Sequence, residues 1–261
     1  MDLNERQAEI MARARVEGRV LVDQLAASFD VTTQTIRRDL NELSRGGLLT
    51  RVHGGAVLAT SVVNLDYTER RALALDAKRA IGERAAAMIP EGCSLILNIG
   101  TTTEQVAHAL RDRRDLVVVT NNINVVNILS GSPKKEIILA GGMVRQSDGA
   151  IVGDDAVEFI RKFKVDYAVI GASSLDVDGS VMDFDMREVA VARAIVANAR
   201  RTILVCDHHK FERSAPVRIC TIADIDVIVT DQPPPAGFVD VCQRHSVAIE
   251  VAEVPGGDNG D

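Results

Sequence analysis

The stretch Val31-Thr32-Thr33-Gln34-Thr35-Ile36-Arg37-Arg38-Asp39-Leu40 decides how the rest of the chain is read. It predicts a short helix opened by a threonine cap, because Thr32 or Thr33 can accept from the free N–H groups of the first turn. Ile36, Leu40 and Leu43 recur at i, i+4 and i+7, so one stripe faces a core. The opposite side carries Thr33, Gln34, Thr35, Arg37, Arg38 and Asn41, with Arg45 one turn further on. Arg, Gln and Asn are the side chains that read base edges in pairs, so this face suits a major groove. A solvated basic face is the bland alternative, and the flanking sequence decides between the two.

Upstream, residues 4–16 form a helix candidate stopped by Gly18, and residues 21–29 a second, followed by the short turn Asp30-Val31. Two helices joined by a tight turn, the second polar and basic, make a helix-turn-helix. Downstream of Gly46-Gly47, residues 48–58 read as two short strands around a Gly-Gly turn, a wing whose Arg51 and His53 can touch phosphate or minor groove. Residues 4–58 thus predict a winged DNA-binding unit that grips double-stranded DNA.

The motifs Thr35-Ile36-Arg37-Arg38-Asp39-Leu40, Gly47-Leu48-Leu49 and Arg51-Val52-His53-Gly54-Gly55-Ala56 resemble the N-terminal domain of the DeoR family of bacterial transcription regulators. Arg6, Ile10, Leu25-Ala26 and Phe29-Asp30-Val31 match as well.

The chain has 261 residues, 46% hydrophobic and 26% charged, enough for a small domain and a medium one. Its net charge is -7, and residues 1–58 hold 8 basic and 8 acidic side chains, so nucleic-acid contact must rest on clustered arginines. No apolar run approaches membrane-spanning length and no signal-like N-terminus stands out, so a cytoplasmic protein without a membrane partner is expected. Cys93, Cys206, Cys220 and Cys242 are widely spaced and expected to be reduced, mostly buried thiols. The expected domain limits are 1–58 for the head, 59–76 for a linker that turns helical near Tyr67, 77–252 for a second domain and 253–261 for a tail.

In the second domain five apolar runs each end in small or polar residues. Residues 94–99 end in Gly100-Thr101-Thr102-Thr103, 116–119 in Thr120-Asn121-Asn122, and 136–140 in Gly141-Gly142. Residues 167–170 end in Gly171-Ala172-Ser173-Ser174, and 202–206 in Asp207-His208-His209-Lys210. Helical stretches at 103–110, 123–129, 154–163 and 187–199 alternate with them, which predicts an open α/β sheet of buried parallel strands. Ligands of such sheets sit beyond the carboxyl ends of the strands, where these clusters collect. Gly100 to Thr103 lies between a strand and a helix start, so its N–H groups and hydroxyls can cradle a phosphate, with Lys210 supplying a cation. Such threonine-rich turns also serve simply as helix caps, and Asn121-Asn122 and Gly141-Gly142 as turn residues. Metal binding by the 206–209 run is not expected, since neighbours on an extended segment point to opposite faces and no partner cluster accompanies it. No cofactor is expected.

Gly100-Thr101-Thr102, Thr120-Asn121-Asn122, Leu139-Ala140-Gly141-Gly142 and the Asp207-x-x-Lys210-Phe211 end resemble the DeoR-type sensor domain. The resemblance implies a ribose-5-phosphate isomerase-like fold and an effector that is a small phosphorylated polyol or sugar. Residues 116–124, 179–188, 205–211 and 230–235 are similar to the branch of the family that responds to glycerol 3-phosphate. The implied effector contacts are Asn98, Gly100, Thr101, Thr102, Thr103, Thr120, Asn121, Asn122, Gly141, Gly142, Glu188 and Lys210. Two positions depart from the family pattern: Asn98, where Asp is common and recognises a hydroxyl, and His209, where Ser is usual.

The competing readings are a regulator of the same type with a different phosphorylated effector and a sugar-phosphate isomerase with a DNA-binding head. Glu188 resembles the catalytic Glu of those isomerases, yet their Asp-Gly-Ala-Asp run corresponds here to Ile170-Gly171-Ala172-Ser173, without its acids. Proton transfer needs both a base and an acid, so a repressor released from its operator by its effector is expected, not an enzyme. Regulators of this kind act as symmetric oligomers, and a homodimer or tetramer is expected.

Overall fold

Apolar periodicity in the first 45 residues gives three helices around one core. These are α1 (Glu5–Glu17), α2 (Val22–Phe29) and α3 (Thr33–Arg45), with the short strand β1 (Arg19–Leu21) running directly into α2. Two further strands, β2 (Leu49–Val52) and β3 (Gly55–Leu58), close an antiparallel sheet in the order β1-β3-β2. The wing is therefore three-stranded. Three residues are too few to show a period, and sequence reading had absorbed Leu21 into the helix. The computed structural model describes residues 3–17, 19–46, 48–52, 54–58 and 67–254, and falls into two units, Met1–Asn64 and Leu65–Asp261.

Ile10, Ala14, Ile36, Leu40 and Leu43 are fully buried and form the centre of the first unit with Val20, Leu25 and Ala56. The turn between α2 and α3 is closed by Asp30, held left-handed at φ 50°, a conformation that Asp tolerates better than most residues. Thr32 caps α3: its hydroxyl accepts from the Thr35 N–H at 3.2 Å. Gly54 sits at φ +76° in the hairpin between β2 and β3, where a side chain would be strained.

The second unit begins with α4 (Tyr67–Ala72) and α5 (Leu75–Ala87), then alternates strand and helix. The succession is β4 (Ser94–Leu97), α6 (Thr101–Ala109), β5 (Leu116–Thr120), α7 (Ile123–Leu129) and β6 (Lys135–Leu139). A hairpin of β7 (Met143–Arg145) and β8 (Ala150–Val152) precedes α8 (Asp154–Ile160) and β9 (Val165–Ile170). Next come β10 (Ser174–Leu175), β11 (Ser180–Asp183), α9 (Met186–Ala197), β12 (Ala199–Val205) and β13 (Val217–Thr221). Strand β14 (Val227–Thr230), helix α10 (Ala236–Arg244) and strand β15 (Ala248–Val251) follow.

Seven strands pair in parallel in the order β15-β14-β12-β9-β4-β5-β6, so the open α/β sheet expected from the apolar runs is the observed fold, extended by β14 and β15. Alternate residues of each strand feed two cores. Ile96, Val119, Ala168 and Leu204 face α8 and α9, while Leu95, Leu97, Val118 and Ile203 face α5 and α6. Burying each such side chain contributes about 1.5–3 kcal/mol, so both faces must be covered. A small antiparallel sheet, β10-β11-β13, stands beside the carboxyl ends of β9 and β12. It carries the residues between Gly171 and Glu188 back over the strand ends.

Candidate functional site

The polar face of α3 is free in the first unit. Gln34, Arg37, Arg38, Asn41 and Arg45 are exposed, and Thr33 and Thr35 half-buried. All of these but Thr33 line one concave surface together with Arg6 and Asp39. The helix is pinned to α1: Arg6 Nε donates to Asp39 Oδ2 at 2.6 Å, and Gln7 Nε2 donates to Glu42 at 2.8 Å. Arg38, 82% exposed, is tied to Glu42 by an i,i+4 pair at 3.2 Å and can leave it for a ligand at small cost. Thr35 is already engaged, its hydroxyl 2.9 Å from that of Thr32. The side chain of Arg51 and the whole of His53 lie outside the described residues.

In the second unit the loop Gly100–Thr103, Lys210, Glu188 and Arg70 line one cleft, joined by Ser173 and Asp183. Gly100 takes φ 139° and ψ 149°, a conformation that L side chains rarely adopt, and turns the chain from β4 into α6. The Thr103 hydroxyl is spent locally, donating toward the carbonyls of Asn98 and Gly100 at 2.8 and 2.7 Å. It shapes the loop, and leaves the first N–H groups of α6 as donors for an anion.

Cations crowd this end. Lys78, 2% exposed, donates from Nζ to the Arg70 carbonyl, and its charge is felt alongside those of Lys210, Arg213 and Arg70. Desolvation, together with these neighbours and despite Asp207, pushes Lys78 down to about 8. Lys210 and Arg213 are likewise lowered, first by desolvation and then by the surrounding cations, with Asp207 opposing. Asp207 is 1% exposed and its Oδ1 has no hydrogen-bond partner. Arg70 and Lys210 line the cleft itself, and Lys78 and Arg213 lie close enough to Lys210 to interact with it, so a phosphate entering the cleft would meet cationic partners.

A second wall is acidic. Asp183 Oδ1 accepts from the Ser173 hydroxyl at 2.9 Å and from the Phe184 N–H at 2.7 Å. Glu188 is pushed up to about 7 by desolvation and by Asp183, against the pull of Arg145. Arg145 of β7 binds three carboxylates, Asp148 at 2.9 Å, Asp185 at 3.0 Å and Glu188 at 2.8 Å. Ser173 therefore does not leave the cleft with a single acid: Asp183, ten residues on, brings a second carboxylate to the same place.

The start of the unit is built into this site. Arg70 of α4 lies 3.6 Å from Asp148, and its Nε is buried without a partner. Tyr67, one turn earlier, donates to Glu104 of α6 at 2.8 Å and accepts from Asn124 at 2.9 Å. Desolvation and the Glu104 bond push the Tyr67 phenol up, so it remains a donor.

Of the effector residues predicted from sequence, the structure brings Gly100, Thr101, Thr102, Thr103, Glu188 and Lys210 together. It does not bring in the other six. Asn98 is buried behind the loop with its Oδ1 unpartnered, and Thr120 donates to the Leu97 carbonyl at 2.7 Å. Asn121 stitches β5 to β8 through Ile151, and Asn122 caps α7 by accepting from the Asn124 N–H at 2.9 Å. Gly141 and Gly142 are exposed beyond β6, the edge strand of the sheet. A polar residue after a strand can serve the chain's own turn as readily as a ligand, and Thr120 and Asn122 do. Sequence reading missed Arg70, Lys78, Asp183 and Arg213, whose flanking patterns show helix, strand or loop and no site. Among the described residues no group of three His, Cys, Asp or Glu could hold a metal ion, and no helix is long and apolar enough to cross a membrane.

Residues 6–62 match the DeoR-like helix-turn-helix domain, and residues 74–232 match the DeoR C-terminal sensor domain. The glycerol-3-phosphate regulon repressor of Escherichia coli (strain K12) is 42% identical over 251 residues, 96% of this chain and all of that protein. The repressor of the same name from Haemophilus influenzae is 41% identical over 94% of this chain and 95% of its own length. The transcriptional repressor AccR of Agrobacterium fabrum is 38% identical over 87% of this chain and 89% of its own. Among solved structures, ribose 5-phosphate isomerase from Plasmodium falciparum aligns with a TM-score of 0.37 at 13% identity, over 52% of this chain and 53% of that one. Two successive domain matches and relatives similar over nearly the whole length place the chain: it belongs to the DeoR family of DNA-binding transcriptional repressors, with an N-terminal helix-turn-helix and a C-terminal sensor domain.

Proposed function

We propose that this repressor leaves its operator when a small phosphate ester, glycerol 3-phosphate, enters the cleft between the Gly100–Thr103 loop and Lys210. The observation that carries the reading is the convergence of Arg70 and Lys210 on the cleft beside the amino end of α6, with Lys78 near enough to interact with both. The relatives named glycerol-3-phosphate regulon repressor support this effector over other phosphate esters. On the DNA side, Thr33, Gln34, Thr35, Arg37, Arg38 and Asn41 meet base edges and phosphates, and Arg51 and His53 reach from the wing. The active species is a cytoplasmic homo-oligomer, a dimer or tetramer, in which two heads grip two half-sites. It performs no reaction on the effector.

Helix α4 transmits the signal. It is the first described element after residues 59–66, which follow the head in sequence, and Arg70 lies on it. An incoming phosphate competes with Asp148 for the Arg70 guanidinium, and the move of Arg70 shifts α4. The effector then acts because it binds the shifted state better, since equal binding to both states would move nothing.

A melting experiment on the full chain with glycerol 3-phosphate, glycerol and inorganic phosphate tests the reading. Saturating glycerol 3-phosphate should raise stability by about 2.7 kcal/mol at a hundred times its dissociation constant. Glycerol should leave the melting temperature unchanged. An equal shift by glycerol, or none by any phosphate, contradicts it.

A further inference from the structure

The acidic wall of the cleft has a role of its own. Asp183 and Glu188 face the same space as Lys210 and the Gly100–Thr103 loop. Each carboxylate keeps one oxygen without a protein partner among the described residues. Asp183 uses Oδ1 for Ser173 and Phe184, leaving Oδ2, and Glu188 uses Oε2 for Arg145, leaving Oε1. The nearest cation, Arg145, is already committed to three carboxylates, Asp148, Asp185 and Glu188. A ligand carboxylate at this wall would meet the Asp183 and Glu188 carboxyl groups, with Arg145 committed and Arg70 set 3.6 Å from Asp148. A hydroxyl group would find an acceptor waiting.

We infer that Asp183 and Glu188 are the specificity-determining residues of the effector site, accepting hydrogen bonds from two neighbouring hydroxyls of a phosphate monoester and excluding phosphorylated carboxylic acids. The inference rests on the phosphate end being held as proposed above, and names what the opposite end selects. Two free carboxylate oxygens match two hydroxyl donors, so the ligand class is a short polyol phosphate with adjacent hydroxyls. Ser173 and Arg145 are positioning residues: each occupies one oxygen of its carboxylate and turns the other toward the ligand. A buried carboxylate accepts hydroxyl donors well and repels like charge strongly, so selection comes as much from rejection as from attraction. The expected hydroxyl contact at residue 98 is thereby replaced by contacts from β11 and α9.

The test is isothermal titration of the full chain with four probes: inorganic phosphate, propyl phosphate, glycerol 3-phosphate and 3-phosphoglycerate. Glycerol 3-phosphate should bind at least about tenfold more tightly than propyl phosphate, the factor that about 1.4 kcal/mol of hydroxyl contact gives. 3-Phosphoglycerate, of the same length but ending in a carboxylate, should bind no better than propyl phosphate. Glu188→Gln, which keeps the shape and removes the charge, should narrow the gap between glycerol 3-phosphate and 3-phosphoglycerate. Wild-type binding of all three esters within about threefold of one another overturns the assignment of the acidic wall. An unchanged gap in a folded Glu188→Gln protein overturns the role of Glu188. Failure of all four probes, inorganic phosphate included, overturns the phosphate site itself and is distinguishable from either.

Discussion

Arg145 Nη2 lies 2.8 Å from Glu188 Oε2, and this single contact only partly offsets the burial of the Glu188 carboxyl. Desolvation and Asp183 still push Glu188 up to about 7. A carboxyl whose pKa is raised on folding contributes stability that is fully present below its unfolded value and lost as pH rises through the folded one. The effector-free protein should therefore lose stability between about pH 4.5 and pH 7 from this group, and Glu188→Gln should not. The melting temperature of Glu188→Gln relative to the parent should rise across that window, by roughly 1–3 kcal/mol in stability. A constant difference from pH 5 to pH 8 would show that Glu188 titrates normally.

Lys78 gives a second pH signature, of opposite chemistry. Desolvation and nearby cations hold it at about 8, and a phosphate dianion nearby would favour its charged form. Effector affinity should thus be highest below pH 8 and weaken several-fold as the pH rises toward 9, with proton uptake on binding in that range. Calorimetry in two buffers of different ionisation enthalpy reads the uptake directly. A flat affinity from pH 7 to pH 9 and no uptake would separate Lys78 from the phosphate.

What the sequence disclosed differs between the two units for a physical reason. In the head, Ile36, Leu40 and Leu43 on one side and Arg37, Arg38 and Asn41 on the other are local in sequence, so periodicity alone displays both core and reading face. The Gly100–Thr103 loop was legible because a strand, a glycine and a helix start lie within a few residues. The cleft as a whole was not. Arg70, Asp183 and Lys210 come from α4, β11 and the segment after β12, and only the sheet order brings them together. Thr120 and Asn122 look like ligand residues for the same reason that Thr101 does, but their hydrogen bonds close on the protein. Ser173 misled in another way, because its loss of charge is made good by Asp183 from a neighbouring strand.

Asp39 is 4% exposed and is the anchor that Arg6 uses to hold α3 against α1. Asp39→Ala removes the partner of a charge-assisted bond, and should cost roughly 1–3 kcal/mol of stability. Arg38→Ala, at an exposed position, should leave the melting temperature within about 0.5 kcal/mol of the parent and yet cost roughly 1–3 kcal/mol of specific operator binding. Mobility shift beside thermal melting separates the two effects. Full operator affinity in a folded Arg38→Ala protein would remove Arg38 from the reading face.

The carboxylate pair Asp183 and Glu188 invites a test for turnover. Both carboxylates are held in place, Asp183 by Ser173 and Glu188 by Arg145, and act as acceptors. Purified protein should not interconvert ribose 5-phosphate and ribulose 5-phosphate. Turnover that follows the protein through purification and disappears in Glu188→Gln would establish an enzyme.

The central claim is that one phosphate site governs DNA binding, and Lys210 isolates it. Lys210 follows β12 in the sensor unit, far in sequence from α3, so its loss should not disturb DNA contacts directly. Labelled operator complexes of the parent and of Lys210→Ala should be titrated with glycerol 3-phosphate under identical salt. The account predicts equal operator affinity without effector, release of the parent, and retention of the operator by Lys210→Ala at effector levels that free the parent. By linkage, operator DNA should weaken effector binding to the parent by the same factor as effector weakens DNA binding. Release of both proteins at the same effector concentration would contradict the account.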